Sequence, residues 1–199
     1  MDPYPGPLER EGDYDGLELD GLDLTGQDAR GARFLDCGLH RCVLDGVRLG
    51  GAHVVDTSFV DVRADVLEAP DVQWRDVTIT DCRLGGVRAH GGELLRVTVT
   101  GGKIDYLNLR DAKVRELRLV GTTVDDLDLA GATVRDLVVR ASRVRRLDVT
   151  GARLTDVDLR EADMSEIGGL PGLAGATISE EQLVALAPAL AAQLGILVR

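Results

Sequence analysis

The side chains best suited to polar chemistry are few: three histidines, His40, His53 and His90, and three cysteines, Cys37, Cys42 and Cys82. A zinc site or a disulfide framework needs such residues at short, regular spacings, and these cysteines are too few and too irregular for either. The abundant polar group is the carboxylate. There are 34 Asp and Glu against 23 Lys and Arg, a net charge of −11. That balance argues against generic nucleic-acid binding, which requires a basic footprint. It leaves rows of negative charge as the one conspicuous chemical feature, and what those rows can do depends on the elements that hold them.

The holding element is an internal repeat. Every fifth residue from Leu19 to Met164 is apolar, thirty positions with no break in phase, among them Phe34, Phe59, Trp74, Ile104, Leu129 and Leu159. The residues two before each are mostly apolar or small, from Leu17 and Leu22 to Val157 and Ala162. Neither a helix, with its period of 3.6, nor a flat strand, with its period of 2.0, repeats every five residues. Two inward side chains followed by a turn do so, and four such turns close a square coil. Stacked coils then pair backbone to backbone at about 4.8 Å, as strands do in a sheet. Large and small inward residues alternate around the coil: Val47, Leu107 and Leu127 on the third face stand beside Ala52, Ala112 and Ala132 on the fourth. Close packing of a narrow interior requires such alternation.

The stretches Leu127-Asp-Leu-Ala-Gly-Ala-Thr-Val134 and Ala152-Arg-Leu-Thr-Asp-Val-Asp-Leu-Arg-Glu-Ala-Asp-Met164 resemble the pentapeptide-repeat proteins, whose pattern is roughly A-(D/N)-L-x-x. The resemblance implies an all-β solenoid, a right-handed quadrilateral β-helix of about eight 20-residue coils. Within that frame the histidines fall at outward positions on different faces. The cysteines fall at inward ones, where Cys acts as a small hydrophobe. Cys42 and Cys82 share a face two coils apart, about 9.6 Å at the coil spacing and too far for a disulfide. Gly31, Gly51, Gly91, Gly131 and Gly151 mark corners rather than a phosphate loop. A wall without inserted loops offers no concave site, so no enzyme, metal or cofactor is expected.

The ends depart from the repeat. Residues 1–16 contain Pro3, Pro5 and Pro7 and a net charge of −4, and are expected to be a mobile lead-in, with Tyr14 closing over the first coil. The solenoid is expected over 17–178; its phase slips at Ile167-Gly-Gly-Leu-Pro171 and resumes at Leu173 and Ile178. Ser179-Glu-Glu-Gln182 forms a capping box, and residues 179–199 are expected to make a helical cap that Pro188 kinks or divides. Leu183, Leu186, Leu190 and Leu194, with Ile196, Leu197 and Val198, give it an apolar stripe. That stripe covers the open coil end, joins a second copy, or does both. No apolar run is long enough to span a membrane and no leader pattern precedes the repeat, so the expected location is the cytoplasm.

Two acidic columns follow from the phase. One is Asp36, Asp56, Asp76, Arg96, Glu116, Asp136 and Asp156; the other is Asp45, Asp65, Gly85, Asp105 and Asp125. Stacked like charges repel, so either corner chemistry, to which Asp is suited, or a function offsets the cost. In the first case Arg75, Arg115 and Arg135 are expected to neutralise the column. In the second, the resemblance supplies a role. The quinolone-resistance members of the family are dimers joined by a C-terminal helix that imitate DNA and bind DNA gyrase. This chain shares with them the lack of loop insertions, the acidic total and the apolar C-terminal segment. The resemblance therefore implies a non-enzymatic DNA mimic acting on a type II topoisomerase, with a protein-interaction scaffold as the competing class. The basic residues Arg135, Arg140, Arg143, Arg145, Arg146 and Arg153 near the C-terminal end weigh against mimicry there.

Overall fold

A computed structural model describes residues 2–4 and 6–197. The chain winds as a β-solenoid of about eight coils with a single C-terminal helix. Every strand pairing is parallel and, through the repeat, every partner lies twenty residues on. Trp74 faces Leu94, Leu94 faces Val114, Val114 faces Val134, and Val134 faces Leu154. Twenty-nine of the thirty in-phase centres are buried and Met164 is partly so. The interior is thus a stack of aliphatic layers, with the two Phe and the Trp in the N-terminal half.

Left-handed backbone makes the corners. The second residue after each centre has φ between 47° and 71° on three of the four corner columns, across repeats from Glu11 to Asp156. Fourteen of these positive-φ residues are not glycine, and nine of the fourteen are Asp. Asp tolerates this conformation better than most residues because its short carboxylate bonds locally. On the fourth column only Gly26 and Gly46 adopt it. From Val66 onward the chain runs straight through that corner, so that Arg63–Glu68, Arg83–Arg88, Lys103–Asn108, Thr123–Asp128, Ser142–Asp148 and Ala162–Gly168 form one six-stranded sheet. The longer strands Gln73–Thr80, Glu93–Thr100, Lys113–Val120 and Thr133–Arg140 cover the other two faces.

Of the lead-in expected over residues 1–16, the described residues pair with the solenoid. Asp2 and Pro3 pair with Leu17 and Glu18, and Asp13–Asp15 pairs with Arg33–Leu35. Leu8 and Tyr14 are buried, and the Tyr14 ring stacks on Phe34 with centroids 4.8 Å apart. Two apolar side chains suffice to seat an otherwise polar segment because the first coil leaves its end open. At the other end the closing coil is one residue short: Val157 pairs with Ala176, and a 3-10 turn over Leu170–Leu173 takes up the slip.

The helix α1 (Glu180–Gln193) starts on the expected capping box, with Ser179 Oγ accepting from Gln182 N at 3.1 Å and Gln182 Oε1 accepting from Ser179 N at 2.8 Å. Pro188 lies inside α1 without dividing it. The lost bond would have gone to the carbonyl of Val184, an exposed residue whose carbonyl water can serve. No helix among the described residues is long and apolar enough to cross a membrane.

Candidate partner-binding surface

The inward Cys positions serve more than packing. Each follows a left-handed corner, and its thiol donates to the carbonyl two residues back and to one in the preceding coil. Cys37 Sγ reaches Leu35 O at 3.4 Å and Tyr14 O at 3.3 Å, and Cys42 repeats this with His40 O and Leu19 O. Ser142 does the same with its hydroxyl, at 2.8 Å to Arg140 O. Burial pushes all three thiols up, Cys82 to about 11. These are corner donors, not reactive groups.

His40 is not a free surface imidazole. Its Nδ1 lies 2.5 Å from Glu18 Oε1 and its Nε2 lies 3.5 Å from Ser58 Oγ, above the small Gly38. The order Ser58, His40, Glu18 has the polarity of a nucleophile, base and carboxylate. The neighbouring N–H groups of Ser58 and Thr78 are spent on Cys37 O and Thr57 O. Neither of these two N–H groups is free to serve an oxyanion.

The first acidic column is a corner column. Asp36, Asp56, Asp76, Glu116, Asp136 and Asp156, with Arg96 among them, all have φ between 48° and 60°. Arg75, Arg115 and Arg135, the expected neutralising partners, make no contact ion pair among the described residues, although the Arg75 charge helps to lower the Asp76 carboxyl. They project from the strand, while the corner side chains project from the turn. Instead Arg96 from within the column grips Asp76 at 2.5 and 2.7 Å, and Arg118 from the next face bonds Asp136 at 2.8 Å. Arg96 holds the Asp76 carboxyl below its ordinary range. Asp36, Asp56, Glu116 and Asp156 have no ion-pair partner among the described residues.

The second column is more fully neutralised. Lys103 bridges Asp105 at 2.7 Å and Asp125 at 2.9 Å, and Asp45 Oδ1 accepts from Val66 N at 3.1 Å. Arg63, Arg83 and Lys103 stack in register in the neighbouring column, so Asp65 also lies beside positive charge.

The sequence reading missed the corner on the far side of the first face. Asp61 and Asp81 occupy it, at φ 51° and 52° and exposed. Between them and Asp36, Asp56 and Asp76 lies a strip without charge: Ser58, Thr78 and Thr98 in one column, Val60, Thr80 and Thr100 in the other, all in register. The phase that revealed the first column would have revealed the second, since both stand two residues after a centre.

The apolar stripe of α1 is only partly covered. Among the described residues its side-chain hydrogen bonds to the last coil come from Gln182, whose Nε2 donates to Leu159 O at 2.7 Å and Ala162 O at 2.8 Å. No residue of α1 is buried. Leu183, Leu194, Ile196 and Leu197 are 50, 75, 55 and 81 % exposed, and only Leu186 and Leu190 are half-buried. Val198 lies outside the described residues.

A loop-free square solenoid of five-residue repeats defines the class: this chain has the architecture of the pentapeptide-repeat proteins. It is similar to trypsin-treated QnrB1, a plasmid-mediated fluoroquinolone resistance protein, at 16% identity over 94% of this chain and 100% of that one, with a TM-score of 0.36. Full-length QnrB1 matches at 19% identity over 90% and 99% of the two chains, TM-score 0.33. HetL of the cyanobacterium Nostoc sp. strain PCC 7120, a pentapeptide repeat protein involved in heterocyst differentiation regulation, matches at 17% identity over 85% and 90%, TM-score 0.29. No protein family and no curated protein sequence matches the chain. The fold assignment rests on the coil register described above rather than on these likenesses.

Proposed function

We propose that this chain is a non-enzymatic, cytoplasmic protein-interaction rod that acts as a DNA mimic on a type II topoisomerase such as DNA gyrase. The observation that carries the reading is the first face of the N-terminal coils. There exposed carboxylates, Asp36 and Asp56 on one edge and Asp61 and Asp81 on the other, border an uncharged strip, and the half-buried Asp76, ion-paired with Arg96, ends the first row. Paired rows of negative charge beside a neutral floor are what a basic DNA-binding saddle is built to receive. The acidic bias lies in this half, with a net −5 over residues 17–91 against −1 over 92–166. The role assigned to Glu116, Asp136 and Asp156 is to extend one row, and that assigned to Asp45, Asp65, Asp105 and Asp125 is secondary, because Lys103 and its neighbours offset them.

The apolar C-terminal segment points to a homodimer. A 14-residue helix with no buried residue is marginal by itself in water, and a second copy related by a twofold is the commonest cover.

The test is gyrase supercoiling with purified protein titrated in, with and without a fluoroquinolone. The variant Asp36→Asn/Asp56→Asn/Asp61→Asn keeps residues that tolerate left-handed backbone while removing three charges. It is expected to weaken inhibition about tenfold, and inhibition undiminished by it removes the acidic rows from the account. The ion pairs within the first column favour a second reading, a scaffold whose partner is not a topoisomerase. Salt separates the two: a saddle-bound mimic loses affinity steeply as ionic strength rises, and a neutral scaffold contact does not.

A further inference from the structure

The fourth face of the C-terminal coils is the chemical opposite of the acidic rows. Six outward residues stand on three successive strands, Lys113–Val120, Thr133–Arg140 and Arg153–Asp158. They are Lys113, Thr133 and Arg153 in one register column and Arg115, Arg135 and Thr155 in the other. Each is a cation or a hydroxyl, and none is an acid. Lys113 holds Glu93 at 2.6 Å, whereas the side chains of Arg115, Arg135 and Arg153 find no hydrogen-bond or ion-pair partner among the described residues. A groove of about 570 Å³ runs between the columns, lined by Glu93, Lys113, Arg115, Thr133, Arg135 and Thr155 among others. Directly opposed like charges destabilise a sheet. Leaving Arg115 and Arg135 opposed and unpaired in a chain of net charge −11 is a cost that a bound anion would offset.

We propose that this plate binds a diphosphate group. Two arginines in register, on strands about 4.8 Å apart at the backbone, can bring their guanidinium forks to one tetrahedral anion as bidentate donors. Thr133, Thr155 and Arg153 lie within one coil of them to meet a second phosphoryl group. Glu93 closes one end of the groove, and Glu116, Asp136 and Asp156 line the adjoining corner. Those acids repel a long polyanion and leave room for a short one.

Isothermal titration of the full chain with inorganic pyrophosphate and with ADP, at low salt, tests this. Both ligands are expected to bind, and R115Q/R135Q to weaken both about tenfold or more. R63Q/R83Q, which removes two stacked cations from another face, is expected to leave affinity unchanged. ADP binding no tighter than pyrophosphate assigns the site to the free diphosphate; tighter ADP binding assigns it to a nucleotide whose base adds contacts. Absence of binding, equal loss in the two double variants, or displacement of pyrophosphate by a short DNA duplex at lower phosphate concentration each overturns the proposal.

Discussion

At the scale of single residues, the corner conformation explains much of the surface chemistry. Asp and Gly recur two residues after each centre because those positions need positive φ, and most other residue types resist it. The exceptions identify local strain. Ala141 sits at φ 47° with no polar side chain to compensate. Ala141→Gly is expected to stabilise the chain by about 1 kcal/mol, the left-handed cost less the added chain entropy of glycine. Thermal denaturation should then show Tm higher by about 2–4 °C. The same corner logic governs the thiols, which donate to carbonyls beside the turns. With Cys82 pushed up to about 11 and Cys37 and Cys42 raised by burial, no thiolate forms near neutral pH in the native chain. A thiol reagent at pH 8 should label none of the three until denaturant is added, and rapid native labelling of any one would contradict their placement.

Among elements, the coil and the helix differ in what holds them. The coil needs its layers: Leu109, Leu129 and Leu159 are among the fully buried side chains. Leu129→Ala is expected to cost about 2–5 kcal/mol in denaturant unfolding, with the larger end favoured because stacked coils above and below prevent collapse around the gap. The helix α1 hangs on Gln182, which both completes the capping box and donates to Leu159 O and Ala162 O. Gln182→Ala should speed amide exchange throughout α1 while leaving the solenoid amides unchanged. Uniform loss of protection would mean instead that the helix supports the last coil.

At the scale of the whole molecule, the rod is chemically polar along its length. Its N-terminal coils present acidic rows, its C-terminal coils present Arg115, Arg135 and Arg153 without a partner among the described residues, and its C-terminal end presents exposed apolar side chains. The proposed dimer would cover that last feature. Leu183→Glu/Leu194→Glu is expected to halve the mass measured by light scattering, with the strand content by circular dichroism unchanged. A wild-type chain that is already monomeric at high concentration would assign the exposed stripe to a different partner.

Much of this was legible in the sequence, for a physical reason. A five-residue period is local, and each coil repeats the environment of the one before, so phase alone places Leu19 through Met164 inward and names three of the four corner columns; that the fourth straightens from Val66 onward is not in the phase. The acidic column at Asp36 could be drawn without coordinates for that reason. What phase cannot supply is anything decided by side chains reaching between coils or by the ends, where the repeat has no neighbour. Only the tertiary structure decided that Arg96 and Arg118, rather than Arg75, Arg115 and Arg135, bond the column's carboxylates directly, because partnership depends on the direction each backbone turn aims its side chain. It decided that Leu8 and Tyr14 seat the described residues of the N-terminal segment on the solenoid. It also decided that Leu186 and Leu190 are partly covered while Leu183 and Leu194 stay exposed, since a stripe read from sequence says that a face must be buried and leaves open what buries it.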